Sequence, residues 1–136
     1  MKKISLMLVI FIVLSIGTNV IASAEEYSVN PRFNNANNIK CEFYIENDVA
    51  IAITDVTGYN GSTSRISVNV LLEKKGLLGL WWTDVEEWSA SSTYASDNFE
   101  FVKNVGNGTY RCTFEVTVEG SNGSADVYSK TITVEN

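Results

Sequence analysis

From Tyr110 to Val118 the chain reads YRCTFEVTV, in which Tyr110, Cys112, Phe114, Val116 and Val118 alternate with Arg111, Thr113, Glu115 and Thr117. Strict alternation puts one set on each face of a strand, whereas a helix would scatter the same residues around its axis. A strand with one apolar face is unstable alone and must lay that face against a second layer. The period recurs elsewhere. Ile39, Cys41, Phe43 and Ile45 alternate with Lys40, Glu42, Tyr44 and Glu46. After a turn at Asn47-Asp48, Val49, Ile51 and Ile53 mark one face of a second strand, and Ile66, Val68 and Val70 mark a third. Phe99 and Phe101 lie on another, and Val127, Ser129, Thr131 and Thr133 alternate with Tyr128, Ile132 and Val134 near the end.

Turn signals separate these runs. Asn-Gly pairs stand at 60–61, 107–108 and 122–123, each followed by Ser or Thr. That matches an N-glycosylation acceptor, but the positive φ that hairpin turns need accounts for the pairs without a glycan. With a Trp-rich segment at 80–88 the total is about seven strands and no competing helical period. The expected fold class is all-β, an antiparallel sandwich over residues 39–136.

The N-terminus carries an address. Lys2 and Lys3 precede an apolar run from Ile4 to Ile16, and Ala22-Ser23-Ala24 offers an A-x-A cleavage pattern. Residues 1–24 are expected to be a signal peptide cleaved on secretion, leaving no membrane anchor. Residues 25–38, EEYSVNPRFNNANN, contain five asparagines and the only proline, and read as a flexible lead-in. The whole chain has a net charge of −6, and loss of Lys2 and Lys3 makes the secreted form more acidic. Such a surface repels phosphate backbones and anionic lipid headgroups, which argues against nucleic acid as a partner. It also favours a soluble monomer.

Cys41 and Cys112 are the only cysteines. Secretion places them where a disulfide persists, and each shares the inward phase of its strand neighbours Phe43 and Phe114. A Cys41–Cys112 disulfide is therefore expected, enclosing about 70 residues and stabilising the fold by about 4 kcal/mol. Gly108-Thr109-Tyr110-Arg111-Cys112 resembles the G-x-Y-x-C pattern of immunoglobulin domains, where the tyrosine hydroxyl bonds back to the backbone. The resemblance implies an immunoglobulin-like arrangement of the sandwich.

A second resemblance runs from about Val56 to Val134. It rests on Gly58-Tyr59, on Leu72-Glu73-Lys74-Lys75 leading into the Trp-rich segment, on Val85-Glu86-Glu87-Trp88, and on Gly108 to Arg111. These elements are similar to a family of small secreted β-rich proteins of Gram-positive bacteria, a domain of unknown function. The resemblance implies secretion and a β-fold, and supplies no activity.

The chain has no histidine, which removes Ser-His-Asp and Cys-His nucleophiles and Cys/His zinc sites. Asp84, Glu86 and Glu87 could sketch the paired carboxyls of a glycoside hydrolase. Acidic residues alternating along a strand are more simply a solvated face, and a domain this small leaves little chain for a cleft. Glu46, Asn47, Asp48 and Asp55 could offer oxygens to calcium, but Asn and Asp are ordinary turn residues. The expectation is a non-enzyme with no metal and no cofactor.

All three tryptophans fall in GLWWTDVEEW, residues 79–88. If 80–88 is one strand, Trp81, Thr83 and Val85 face the core, and Trp82, Asp84, Glu86 and Trp88 face outward. The second set would form an acidic aromatic row able to stack on a sugar or bury against a protein. A β-bulge near Asp84 would instead return Trp88 to the interior, and Leu77, Trp81, Val85 and Trp88 also fit a short helical stripe. The function expected is a secreted, non-catalytic binding module for an extracellular glycan or protein, with Trp82, Asp84, Glu86 and Trp88 as candidate ligand contacts. The alternative is a secreted toxin or bacteriocin-like effector acting on a cell envelope.

Overall fold

The computed structural model describes residues 32–136. The expected signal peptide, and residues 25–31 of the expected lead-in, lie outside the described residues. Seven antiparallel strands follow in order: β1 (Ala36–Glu46), β2 (Val49–Gly58), β3 (Thr63–Lys75), β4 (Trp82–Ser92), β5 (Ser96–Asn104), β6 (Thr109–Gly120) and β7 (Ala125–Glu135). They form a three-stranded sheet, β1-β2-β5, and a four-stranded sheet, β4-β3-β6-β7. The fold is all-β and sandwich-like. The chain forms hairpins at β1–β2, β3–β4 and β6–β7, and changes sheet at the other three connections.

The alternation read in β6 is the alternation of burial: Tyr110, Cys112, Phe114, Val116 and Val118 are all buried. Their neighbours on β3 in the same phase are Ile66, Val68, Val70 and Leu72, also buried. On β2 the inward face is the small one. Ala50, Ala52, Thr54 and Val56 point inward, while Val49, Ile51 and Ile53 lie half-buried on the outer face. The register explains the choice, because Ala52 sits between Phe43 of β1 and Phe101 of β5. Two flanking rings fill the layer, so the middle position takes a methyl group.

The turns behave as their residues require. Asn47 and Asp48 both have positive φ, 51° and 61°, which is the backbone of a two-residue hairpin turn. At the start of β6 the Tyr110 hydroxyl donates to the Gly106 carbonyl at 2.9 Å, the back-bond implied by the G-x-Y-x-C resemblance.

The expected Cys41–Cys112 disulfide is not formed. Both residues point inward and are buried, but both are free thiols. They belong to opposite sheets, on β1 and β6, and the Cys41 thiol meets the Thr54 hydroxyl of its own sheet. Shared phase brings the thiols to one interior without bringing them to bonding distance. Burial pushes Cys41 up to about 11, with partial offsets from the Thr54 hydroxyl and Lys130. It pushes Cys112 up to about 12, with a further rise from the nearby Cys41. Thr54 Oγ1 makes no hydrogen bond of good geometry; its contact with the Cys41 thiol, its register partner, offsets only part of the burial.

The folded strand also starts earlier than the expected lead-in boundary, at Ala36 rather than Ile39. The reason lies 90 residues away. The buried Asp126 carboxylate accepts the backbone N–H groups of Asn34 (3.0 Å), Asn35 (2.5 Å) and Ala36 (3.2 Å). Asn35 in turn donates to Val118 O, and its carbonyl accepts from Thr63 Oγ1. An asparagine-rich stretch without apolar period is thus ordered by polar bonds, together with burial of Ala36 and the edge-on contact of Phe33 with Tyr128.

Thiol reagent at pH 8 should label neither cysteine in the native protein and both in urea. Because the unfolded thiols ionise near pH 9 and the folded ones only at about 11 and 12, the unfolded state binds fewer protons in that window and stability should fall as pH rises through it. A Cys41→Ala/Cys112→Ala variant should lose that component in urea titrations at pH 8 and pH 10. Asp126→Ala should lower the unfolding free energy by about 3 kcal/mol, since it strands three backbone donors, and Asp126→Asn should lose less.

Candidate functional site

Strand β4 does not run straight through the Trp-rich segment. Its register with β3 pairs Lys75 with Trp82, Lys74 with Thr83 and Glu73 with Asp84, then Leu72 with Glu86 and Val70 with Trp88. Val85 has no partner and is a β-bulge. One extra residue inverts the phase of everything beyond it. Trp82 and Asp84 therefore share the outer face with Lys75 and Glu73, whereas Glu86 and Trp88 share the inner face with Leu72 and Val70. The expected row of Trp82, Asp84, Glu86 and Trp88 is split in two.

The inner half closes one side of the sandwich. Trp88 packs against the core and stacks on Phe101 of β5, with ring centroids 5.5 Å apart and planes 14° from parallel. Next to it, Glu86 pairs with Lys103 of β5 at 2.5 Å. Both contacts join the edge strand of one sheet to the edge strand of the other.

The outer half is a small charged platform. Arg111 of β6 reaches across to Glu73 of β3 with two hydrogen bonds, Nε to Oε2 at 2.5 Å and an NH2 nitrogen to Oε1 at 3.0 Å. The fork fixes the guanidinium in a plane, and that plane lies 4.3 Å from the centroid of the Trp82 ring. The Glu73 hydrogen bond raises the already high pKa of Arg111, so the cation persists at any working pH. The Trp82 indole is held by a cation that is itself held by a nearly buried carboxylate. Asp84 stands beside it, exposed and opposite Glu73.

Trp81, expected in the core, lies instead in the β3–β4 hairpin loop and is half exposed. Its carbonyl accepts the Gly76 N–H at 2.9 Å, and Gly79 N–H bonds to Gly76 O at 2.9 Å. Gly79 has φ +66°, the left-handed position of the turn. The Trp81 ring folds over Gly76 so closely that a Cβ there would meet Nε1 at 2.5 Å. Between these closing contacts Leu77, Leu78 and Leu80 project with relative exposures of 102%, 71% and 76%. The sequence offered Leu77 only as part of a helical stripe and Leu80 only as part of a strand; Gly76 and Gly79, framing a loop, were the signal for their exposure.

No known protein-family model matches the chain, and no curated protein sequence matches it.

The three carboxylates weighed for hydrolysis do not converge. Asp84 and Glu87 pair with outer-face residues Glu73 and Leu71, while Glu86 is on the inner face and tied to Lys103. Among the described residues, no group of three or more His, Cys, Asp or Glu side chains is placed to hold a metal ion. The Asp48 carboxylate accepts from the Asn136 side chain at 2.9 Å and its carbonyl from Val105 N–H, so its turn is engaged within the fold.

The two tryptophans should respond differently to truncation. Trp88→Ala should destabilise the fold by about 3 kcal/mol or more through lost packing. Trp82→Ala, which removes a surface stack, should change stability by about 1 kcal/mol or less. Urea denaturation of both variants checks the division.

Proposed function

We propose that the chain is a secreted, non-catalytic binding module of immunoglobulin-like architecture that takes an extracellular glycan on the outer face of β4, β3 and β6. The signal-like N-terminus and the resemblance to small secreted proteins of Gram-positive bacteria support secretion. The strand order and the Tyr110–Gly106 bond support the immunoglobulin-like assignment. The observation that carries the ligand reading is the Trp82 indole, fixed by Arg111 and Glu73 beside the exposed Asp84 carboxylate. An aromatic ring held in place before the ligand arrives loses little freedom on binding. A pyranose could stack on the ring while Asp84 accepts its hydroxyl hydrogens. Of the expected contacts, Trp82 and Asp84 remain in this surface, while Glu86 and Trp88 serve the closure behind it.

A second reading, an effector acting on a cell envelope, is favoured by one observation: the three leucines and Trp81 left exposed at the β3–β4 tip.

A glycan array probed with residues 25–136 should show a defined set of bound saccharides. Trp82→Ala and Asp84→Ala should each weaken the best of them at least tenfold, with unfolding midpoints close to wild type. Unchanged affinity in both variants removes this face from the site. An empty glycan array combined with capture of a host or envelope protein, lost in the same variants, would retain the surface and make its ligand a protein.

A further inference from the structure

The Trp82 platform leaves the hairpin tip unexplained. Leu77, Leu78, Leu80 and Trp81 are four exposed apolar residues within a six-residue loop beyond the ends of β3 and β4, and only Leu77 also borders a groove. The loop is not loose: the Gly76–Trp81 and Gly76–Gly79 hydrogen bonds and the Trp81 ring over Gly76 hold it in shape. A water-facing tip of this composition on a monomer marks a contact surface.

The order of side chains along the hairpin indicates what it contacts. Aliphatic residues occupy the tip, the amphipathic Trp81 stands at the loop's closure, and Lys74 and Lys75 end the strand just behind. The Lys75 side chain lies along the loop beside Gly79. Behind the tip an open groove of about 720 Å³ is lined by both lysines, Thr83, Asn107 and Thr109, with no carboxylate in its wall. Hydrocarbon-seeking, interface-seeking and phosphate-seeking groups thus succeed one another in the order in which a bilayer presents acyl chain, interface and headgroup.

We infer that the β3–β4 hairpin docks the domain onto an anionic phospholipid bilayer, with Leu77, Leu78 and Leu80 entering the acyl boundary and the exposed Lys75 taking lipid phosphate, while Lys74, over the Tyr110 ring at 5.4 Å, adds its charge to the groove. The acidic charge of the whole chain does not oppose this at contact. No acidic residue stands between Lys74 and Thr83, Glu73 is neutralised by Arg111, the exposed Asp84 is set back from the loop in the pair opposite Glu73, and charges on distant faces are screened beyond about 8 Å at physiological salt. The inference rests on the loop beyond the strand ends and does not need the glycan reading, although Lys75 shares the outer face with Trp82.

Flotation of residues 25–136 with vesicles of phosphatidylcholine alone, and with added phosphatidylglycerol, tests it. Binding should rise with phosphatidylglycerol content, and Leu77→Ser/Leu78→Ser/Leu80→Ser should weaken it at least tenfold while leaving glycan binding and the unfolding midpoint unchanged. Lys75→Gln should cost about fivefold, on the anionic vesicles only. Brominated acyl chains should quench wild-type fluorescence, and Trp81→Phe should abolish most of that quenching while Trp82→Phe does not. Absence of flotation at millimolar lipid, or a triple serine variant that floats like wild type, overturns the inference. Release of trapped dye at the same coverage would replace docking by perforation and overturn it too. Failure here with glycan binding intact removes the membrane and keeps the module; flotation with an empty glycan array does the reverse.

Discussion

The interior is organised by an alternation of sizes across the three-stranded sheet. Ala52 lies between Phe43 and Phe101, so the middle strand recedes where its neighbours advance. The opposite sheet presents Phe114, Leu72 and a run of valines. Interdigitation of this kind fixes the register of every strand, because a one-residue slip of β2 would turn Ile51 and Ile53 inward between rings that leave no room. The two open sides are then closed by different means. On one, the Trp88–Phe101 stack and the Glu86–Lys103 pair link β4 to β5. On the other, Lys130 donates to the Cys41 carbonyl at 3.3 Å and Asp126 holds the entry to β1.

The bulge at Val85 reconciles two demands on β4 that a regular strand could not meet. Its second half must supply Trp88 and Glu86 to the closure, and its first half must carry Trp82 and Asp84 on the outer face. Without the extra residue one half or the other would be inverted. Trp88 would then leave Phe101 unstacked, or Trp82 would be drawn off Arg111. The surface platform and the edge closure are thus joined through one backbone irregularity.

Much of the architecture was legible because burial with period two writes itself into composition. The five apolar positions of β6 and the phase of Cys41 and Cys112 follow from residues and spacing, and the tyrosine back-bond is what the G-x-Y-x-C resemblance implies. The splitting of the Trp82–Trp88 row was legible only as one alternative, since a single-residue bulge changes direction without changing composition. The tip was misread for a related reason: GLLGLWW is as apolar as a buried strand, and only its glycines separate the two. The free thiols mark a further limit. Phase says which face a cysteine occupies and says nothing of the distance between facing layers. On β2 the large aliphatics are outside and the alanines inside, which no hydrophobicity rule anticipates without knowing the rings on either side.

Asp126 fixes more than the start of β1. Asn35 is bonded beside Thr63 and Val118, at one end of β3 and β6, whereas the leucine tip follows Lys75 at the other end of β3. The thirteen residues of β3 separate these poles by roughly 40 Å at strand rise. Anything joined ahead of residue 34 is therefore attached at the pole remote from the tip. The described domain thus has a defined polarity, with its N-terminal entry at one end and its apolar tip at the other. Fusions and immobilisation through that end would leave the tip free, and attachment through Asn136, which bonds to Gly108 beside the tip's groove, would crowd it.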